Sequence, residues 1–323
     1  MLVKSIGTAL LVGAASLLPW SAFAASCCGG GSSASLLLSK MKESMVGIDL
    51  AYESYNGFWD NDGIWREDPP GSDLNQTRIS LGAAKRINDN WQTAISVPFV
   101  WNDNQYAQNS FNTSGVGDST VSLWYEAFDD ITCTWVLDTL EDYKPAMYFG
   151  ATLNIPTGIS PYDDVKNNFD ITGRGFYRLD VQALFDKTVY PWNASVSFNY
   201  GKHFSRSVNR EYGQFVEPYD KQLGDRLSTS VSAGYTIFLN GGDTLVVTAA
   251  YAYLKEKKGT INGITDQTSG LRKQGFSLTT AWASSDVSKV VKLTYSYTPT
   301  RDGWGENFPT TNTLALGVSH AFD

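Results

Sequence analysis

The chain has 323 residues, a formal net charge of −8, and only 18% charged against 13% aromatic side chains. The acidity disfavours nucleic acid as a partner. Beyond residue 24 no apolar run reaches the roughly 20 residues of a spanning helix, so a helical membrane protein is excluded and a barrel with one apolar face per strand is favoured.

The first residues carry an export signal. Lys4 supplies a positive start, residues 8–20 an apolar stretch, and Ala22-Phe23-Ala24 the small-x-small pattern cleaved by a signal peptidase. Cleavage is expected after Ala24 or Ala25, because the stretch is too short for an anchor. A lipoprotein signal is the rival, with Cys27 as the lipidated residue, but Ala24 stands where a large aliphatic residue is expected. Three parts follow: a signal peptide over 1–24, a flexible periplasmic segment over 25–43 that can plug or tether, and a single barrel over 44–323.

From there on, apolar and small or polar residues alternate with period two, the signature of strands with two unlike faces. In the first strand Val46, Ile48, Leu50 and Tyr52 oppose Gly47, Asp49, Ala51 and Glu53. The pattern returns over 77–84, 94–99, 120–126, 147–155, 177–185, 194–201, 230–237, 245–254, 276–282, 291–297 and 314–322. It predicts an all-β fold, a transmembrane antiparallel barrel of about twelve strands, each about 9 to 14 residues, the length a tilted strand needs to cross the hydrocarbon.

The connections alternate in length, which sets a direction. Turns at 87–90, 188–191, 240–243 and 284–286 are short, whereas 57–74, 102–116, 157–174, 205–224, 259–272 and 299–309 are long. Short turns belong to the periplasm and long loops to the cell surface, so both termini are expected in the periplasm. Residues 129–143 break the rule, being long on the short side, and Trp135-Val136-Leu137 with Leu140 suggests a small helix there. Trp91, Trp101, Trp192, Tyr200, Tyr253 and Phe322 fall at strand ends, where interfacial girdles in contact with outer-membrane lipid are expected.

By the same alternation Asp49, Glu53, Arg78, Arg86, Asp118, Glu126, Arg178, Asp180 and Arg226 point inward. Opposed charges on a barrel wall can line an aqueous path and select the solutes that pass. They can equally fill a narrow lumen as a salt-bridge network, and twelve strands lie between small filled barrels and wide porins. Cys27 and Cys28 precede a glycine run, and Cys133 lies in the anomalous periplasmic loop. A disulfide from Cys133 to one of the pair would tether the N-terminus in an oxidising compartment. A thiolate site for a soft metal is the rival, but no Cys-x-x-Cys spacing supports zinc or haem, and no metal or cofactor is expected.

Two resemblances add to this. Residues 314–322, with Leu314, Leu316, Val318 and Phe322 alternating, resemble the C-terminal signature by which the barrel-assembly machinery reads outer-membrane proteins, although Asp323 follows the aromatic. Gly115-Val116-Gly117-Asp118, followed by Leu153-Asn154-Ile155-Pro156-Thr157-Gly158, resembles the outer-membrane proteins of the meta-pathway of phenol degradation. That likeness implies passage of small aromatic or other organic solutes.

His203-Phe204-Ser205 has the His-x-Ser spacing of outer-membrane phospholipase A. Its phase points inward, away from bilayer lipid, and Arg206-Ser207 replaces that family's Asn-Gly, so an enzyme is not expected. The leading expectation is a passive channel for small solutes. The alternative is a non-conducting barrel that docks a periplasmic or surface protein, for which the loop bearing Phe58, Trp59, Asp60, Asp62, Trp65, Glu67 and Asp68 would serve.

Overall fold

The computed structural model describes residues 36–129 and 132–323. Among them twelve wall strands close a single antiparallel barrel. In chain order they are β1 Ser44–Trp59, β2 Asp73–Arg86, β3 Trp91–Tyr106, β4 in two pieces (Asn109–Val116 and Ser119–Glu126), β5 Ala146–Ile155, β6 Arg178–Val189, β7 Trp192–His203, β8 Arg226–Phe238, β9 Thr244–Glu256, β10 Leu271–Ala283, β11 Lys289–Tyr297 and β12 Phe308–Phe322. Closure comes from β1, which pairs with β2 on one side and with β12 on the other, Ile48 lying opposite Val318. No sheet edge is left around the hydrocarbon, where an unpaired backbone group would cost several kcal/mol.

Burial is inverted relative to a water-soluble fold. Ile48, Leu50, Leu81, Val181, Val231, Leu278, Leu293 and Leu316 are exposed, while Glu53, Arg78, Asp180, Glu256, Lys273 and Lys292 are buried. The side chains turned outward are those that lipid solvates, so the alternation read from the sequence is the alternation of the wall.

The structure corrects two expectations. Residues 102–116 are not a loop: β3 continues to Tyr106, turns at Ala107 with φ 53°, and pairs back from Asn109, so that Val100 meets Gly115. The run Asn102-Asp103-Asn104-Gln105 lacks apolar alternation because this hairpin rises past the lipid, where neither face meets hydrocarbon. In the anomalous periplasmic loop Trp135, Val136 and Leu137 form no helix, and only a 3-10 turn over Glu141–Tyr143 follows them.

Three other long connections are built rather than loose. Arg206–Glu211, Gln214–Gln222, Thr260–Ile261 and Ile264–Thr265 form an antiparallel sheet above the barrel. The connection after β5 folds inward: Ile171 is buried, and Asn102 Nδ2 donates to its carbonyl at 2.9 Å.

Candidate functional site: the barrel interior

At the periplasmic end the interior holds a piece of the chain itself. Leu36, Leu37 and Leu38 are 3%, 3% and 0% exposed. Leu37 packs against Trp124, Ala146, Tyr148 and Leu184, and Leu36 and Leu38 against Ala84 and Ala94. Gly47 and Gly82 are register partners on β1 and β2, and a Cβ on Gly82 would collide with the Leu36 side chain. The paired glycines therefore open the slot that Leu36 fills.

Polar contacts hold the same segment. Leu38 N–H donates to Gln92 Oε1 at 2.7 Å, and Gln92 Nε2 donates to Glu126 Oε1 at 2.5 Å. Glu126 is 0% exposed, and Arg86 grips it with both terminal nitrogens at 3.0 Å. Lys40 Nζ lies 3.2 Å from Glu126 Oε2, while Arg86 also donates to the carbonyls of Ser39 and Lys42. A buried carboxylate is tolerated when each lone pair has a donor, and here two cations and an amide supply them. Arg86 and Glu126 thus face inward as the alternation predicts, and they are committed to each other and to the N-terminal segment.

Towards the cell surface a second network gathers four more of the predicted residues. Asp118 Oδ1 accepts the Gly158 N–H at 3.2 Å, and Oδ2 accepts the Arg174 N–H at 2.8 Å. Thr157 Oγ1 donates to Gly117 O at 2.6 Å and accepts Ser119 N–H at 3.0 Å. The Gly117-Asp118 break within β4 and the Pro156-Thr157-Gly158 turn are therefore one clamp at the base of the inward loop. A Cβ on Gly158 would sit 2.7 Å from Gly173 Cα, so glycine is needed for the approach. Beyond the clamp, Arg174 meets Glu256 through two bonds of 2.6 and 2.7 Å. Arg178 Nε lies 2.9 Å from Asp180 Oδ1, which shares its carboxylate with Asn154 Nδ2. Arg226 pairs in register with Glu256 on β9 and Gly201 on β7, and Asp180 lies one strand beyond Gly201.

The remaining predicted residues sit on the wall formed by β1, β2, β11 and β12. Glu53 lies in register with Gln76, and Arg78 Nη2 contacts the Gln76 amide oxygen. Asp49 and Lys292 both pair with Gly317, whose missing side chain leaves them facing each other across β12. Lys273 Nζ donates to Thr311 Oγ1 and stands 5.1 Å from the centre of the Phe308 ring. Phe308 belongs to a cluster with Trp59 and Leu254 that fills the surface end of the interior.

Sequence reasoning did not single out Lys273, Lys292, Arg174, Glu256 or Gln92. The two lysines were available from the same alternation, since Phe276 and Leu278 on β10 and Val291 and Leu293 on β11 face outward. Arg174 lies in a connection where periodicity says nothing, and its partner is 82 residues away.

His203 lies on the inner face with Nδ1 2.8 Å from Gly224 O, and Ser205 is exposed past the strand end. Cys133 is disulfide-bonded. Cys27 and Cys28, and the whole signal peptide, lie outside the described residues.

Neither family models nor curated proteins give a match to the chain. Among solved structures it is similar to an outer-membrane channel from Pseudomonas putida F1, with a TM-score of 0.64 and 12% identity over 87% of this chain and 96% of that one. It is also similar to the beta domain of the Bordetella autotransporter BrkA, with a TM-score of 0.50 and 11% identity over 87% of this chain and 100% of that one. At these identities the likeness is one of fold.

Proposed function

We propose that this chain is a passive outer-membrane channel for small solutes, closed at rest on its periplasmic side by its own N-terminal segment. The observation that carries this reading is the wall itself. Opposed charges run from Glu126 and Arg86 through Asp49, Lys292, Glu53 and Arg78 to Asp180, Arg178, Arg226 and Glu256, all on inner-face positions. A barrel with no traffic gains nothing from such a lining, because replacing buried ion pairs by apolar side chains is often neutral or stabilising.

The closed mouth follows from Leu36–Leu38, an apolar piece seated on Trp124, Tyr148, Leu184 and Ala94 at the periplasmic end of the lumen. The disulfide of Cys133 would then run to Cys27 or Cys28, the other two cysteines of the chain, and keep a displaced segment close to its seat. The channel from Pseudomonas putida shares the fold, and the clamp formed by Gly117-Asp118 and Thr157-Gly158 is built from the motifs that resemble the phenol meta-pathway proteins. The motif resemblance, not the shared fold, favours small aromatic or other organic solutes.

In planar bilayers the protein should conduct, and the double variant Arg78→Gln with Arg178→Gln should shift ion selectivity towards cations. Unchanged selectivity and conductance would remove these arginines from the path. A non-conducting barrel is the second reading, favoured by the filling of both ends, by Leu36–Leu38 below and Trp59, Leu254 and Phe308 above. Liposomes that neither swell nor carry current after removal of residues 25–39 would establish it.

A further inference from the structure

The outward rows of β7 and β9 end in lysines at the cell-surface rim. Lys202 continues the row of Phe198 and Tyr200, and Lys255 that of Ala249 and Tyr251; both are exposed, whereas Gly201, His203, Leu254 and Glu256 beside them are buried and face the interior. Lys257 follows the end of β9, and its N–H donates to Asp225 O at 2.9 Å. Its ammonium lies 3.7 Å from Asp225 Oδ2, which accepts the hydroxyl of the outward ring of Tyr200 at 2.8 Å. These contacts keep Lys257 on the outer flank of the wall, and its side chain is 69% exposed. Arg226 pairs with Gly201 on one side and Glu256 on the other, so Asp225 stands between Lys202 and Lys257, which are two strands, about 10 Å, apart.

Strand rise fixes the height of these cations. Lys202 is ten residues above Trp192, an exposed ring at the periplasmic end of β7, and Lys255 is ten above Leu245, the register partner of Trp282. Ten residues at about 3.3 Å each and a tilt of about 40° climb about 25 Å along the axis, the height of the apolar band in such barrels. The lysines therefore stand where hydrocarbon gives way to headgroups. Their stems keep apolar company, as snorkelling side chains do: Leu227 lies in register between Tyr200 and Lys255, and exposed Phe204 and Tyr177 adjoin Lys202. Arg272, the other register neighbour of Lys255, is offset by Glu306, whose Oε2 is 3.9 Å from its Nε. The lysine ridge is one-sided. On β3 the exposed outward residue twelve positions above Trp91 is Asp103, in register with Asn75, and exposed Asp73 begins β2. In a chain of net charge −8, three exposed lysines around one carboxylate are a local reversal of sign.

We propose that Lys202, Lys255 and Lys257 form a docking ridge for the phosphorylated glycolipid of the outer leaflet. The lysines take its phosphates, while Tyr200, Leu227 and Tyr251 below them lie along its acyl chains. Cations about 10 Å apart on neighbouring strands suit a sugar headgroup phosphorylated at both ends better than a single phosphodiester. Asp225 does not oppose this, because Tyr200 and Lys257 already engage its carboxylate.

Native mass spectrometry of the full-length protein in detergent micelles tests this. Lipid A with both phosphates is titrated beside the same lipid with both removed, and beside phosphatidylglycerol. The phosphorylated glycolipid should bind at least about tenfold more tightly than either, and Lys202→Gln, Lys255→Gln and Lys257→Gln together should erase that advantage. The three arginine replacements at the same positions should keep it. Removing three exposed lysines at the periplasmic end, by Lys85→Gln, Lys144→Gln and Lys289→Gln, should change it by less than about twofold. Heat-dependent gel migration verifies that each barrel is folded. Equal binding of phosphorylated and dephosphorylated lipid would overturn the proposal, as would equal losses in the two glutamine variants or a loss in the arginine variant. Phosphatidylglycerol bound as tightly as lipid A would also overturn it, making the ridge a general anionic surface.

Discussion

Leu37→Ala is the most direct probe of the closed periplasmic mouth. Leu37 is 3% exposed and its side chain meets Trp124, Ala146, Tyr148 and Leu184, with Phe128 at the margin. Truncating a fully packed leucine removes its transfer free energy and leaves a void, together about 2–3 kcal/mol at the lower end of such changes. The loss falls on the seated state alone, because a displaced segment has no such contacts. At 1.4 kcal/mol per tenfold, the ratio of displaced to seated segment should rise about 30- to 140-fold. Single-channel recording reads this as a rise in open probability, while Leu37→Met, which conserves volume, should stay close to the unsubstituted protein. Heat-dependent gel migration serves as the control that the barrel itself is intact. An intact Leu37→Ala barrel with unchanged open probability would refute the idea that Leu36–Leu38 gates the lumen.

Glu126→Gln leaves Arg86 and Lys40 without their shared counter-charge inside the barrel, and should lower stability by about 3 kcal/mol, read as a lower urea midpoint for the protein refolded in vesicles; an unchanged midpoint would count against the latch. Asp118→Asn weakens two charge-assisted bonds to Gly158 and Arg174, worth about 1.5–3 kcal/mol each when intact, so trypsin added to whole cells should cleave at the exposed Lys166 about tenfold faster. An unchanged cleavage rate would mean that the inward loop is held elsewhere. For the cysteines, denatured unreduced protein should show one free thiol and reduced protein three, as expected if Cys133 pairs with Cys27 or Cys28. Three free thiols before reduction would exclude the tether.

The barrel and its direction were legible because strand periodicity is local. Val46, Ile48 and Leu50 report the outward face without reference to any distant residue, and the connections other than residues 129–143 declare their side by length. That suffices for the wall and for which side chains enter the interior; the same rule extends to Lys273 and Lys292, which were not singled out from the sequence. It fails at the upper hairpin of β3 and β4, where the wall leaves the lipid and the alternation loses its physical cause. It fails again in the periplasmic loop, whose apolar residues suit a helix by composition but are exposed on an irregular turn.

The contents of the interior are a different kind of question. A period-two pattern tells which way a side chain points, and says nothing of what occupies the space it points into. Leu36-Leu37-Leu38 reads as a short apolar run in a polar tail, and only the barrel's geometry brings it to Trp124, Tyr148 and the slot at Gly47 and Gly82. Likewise Asp118 and Gly158 read as two separate motif fragments, and Arg174 and Glu256 as unrelated charges, until closure of the sheet brings them within hydrogen-bond reach. The sequence by itself determined the wall, because burial in lipid acts residue by residue along each strand. The tertiary structure decided what fills that wall and holds its ends, because those contacts are made across the barrel between residues far apart in the chain.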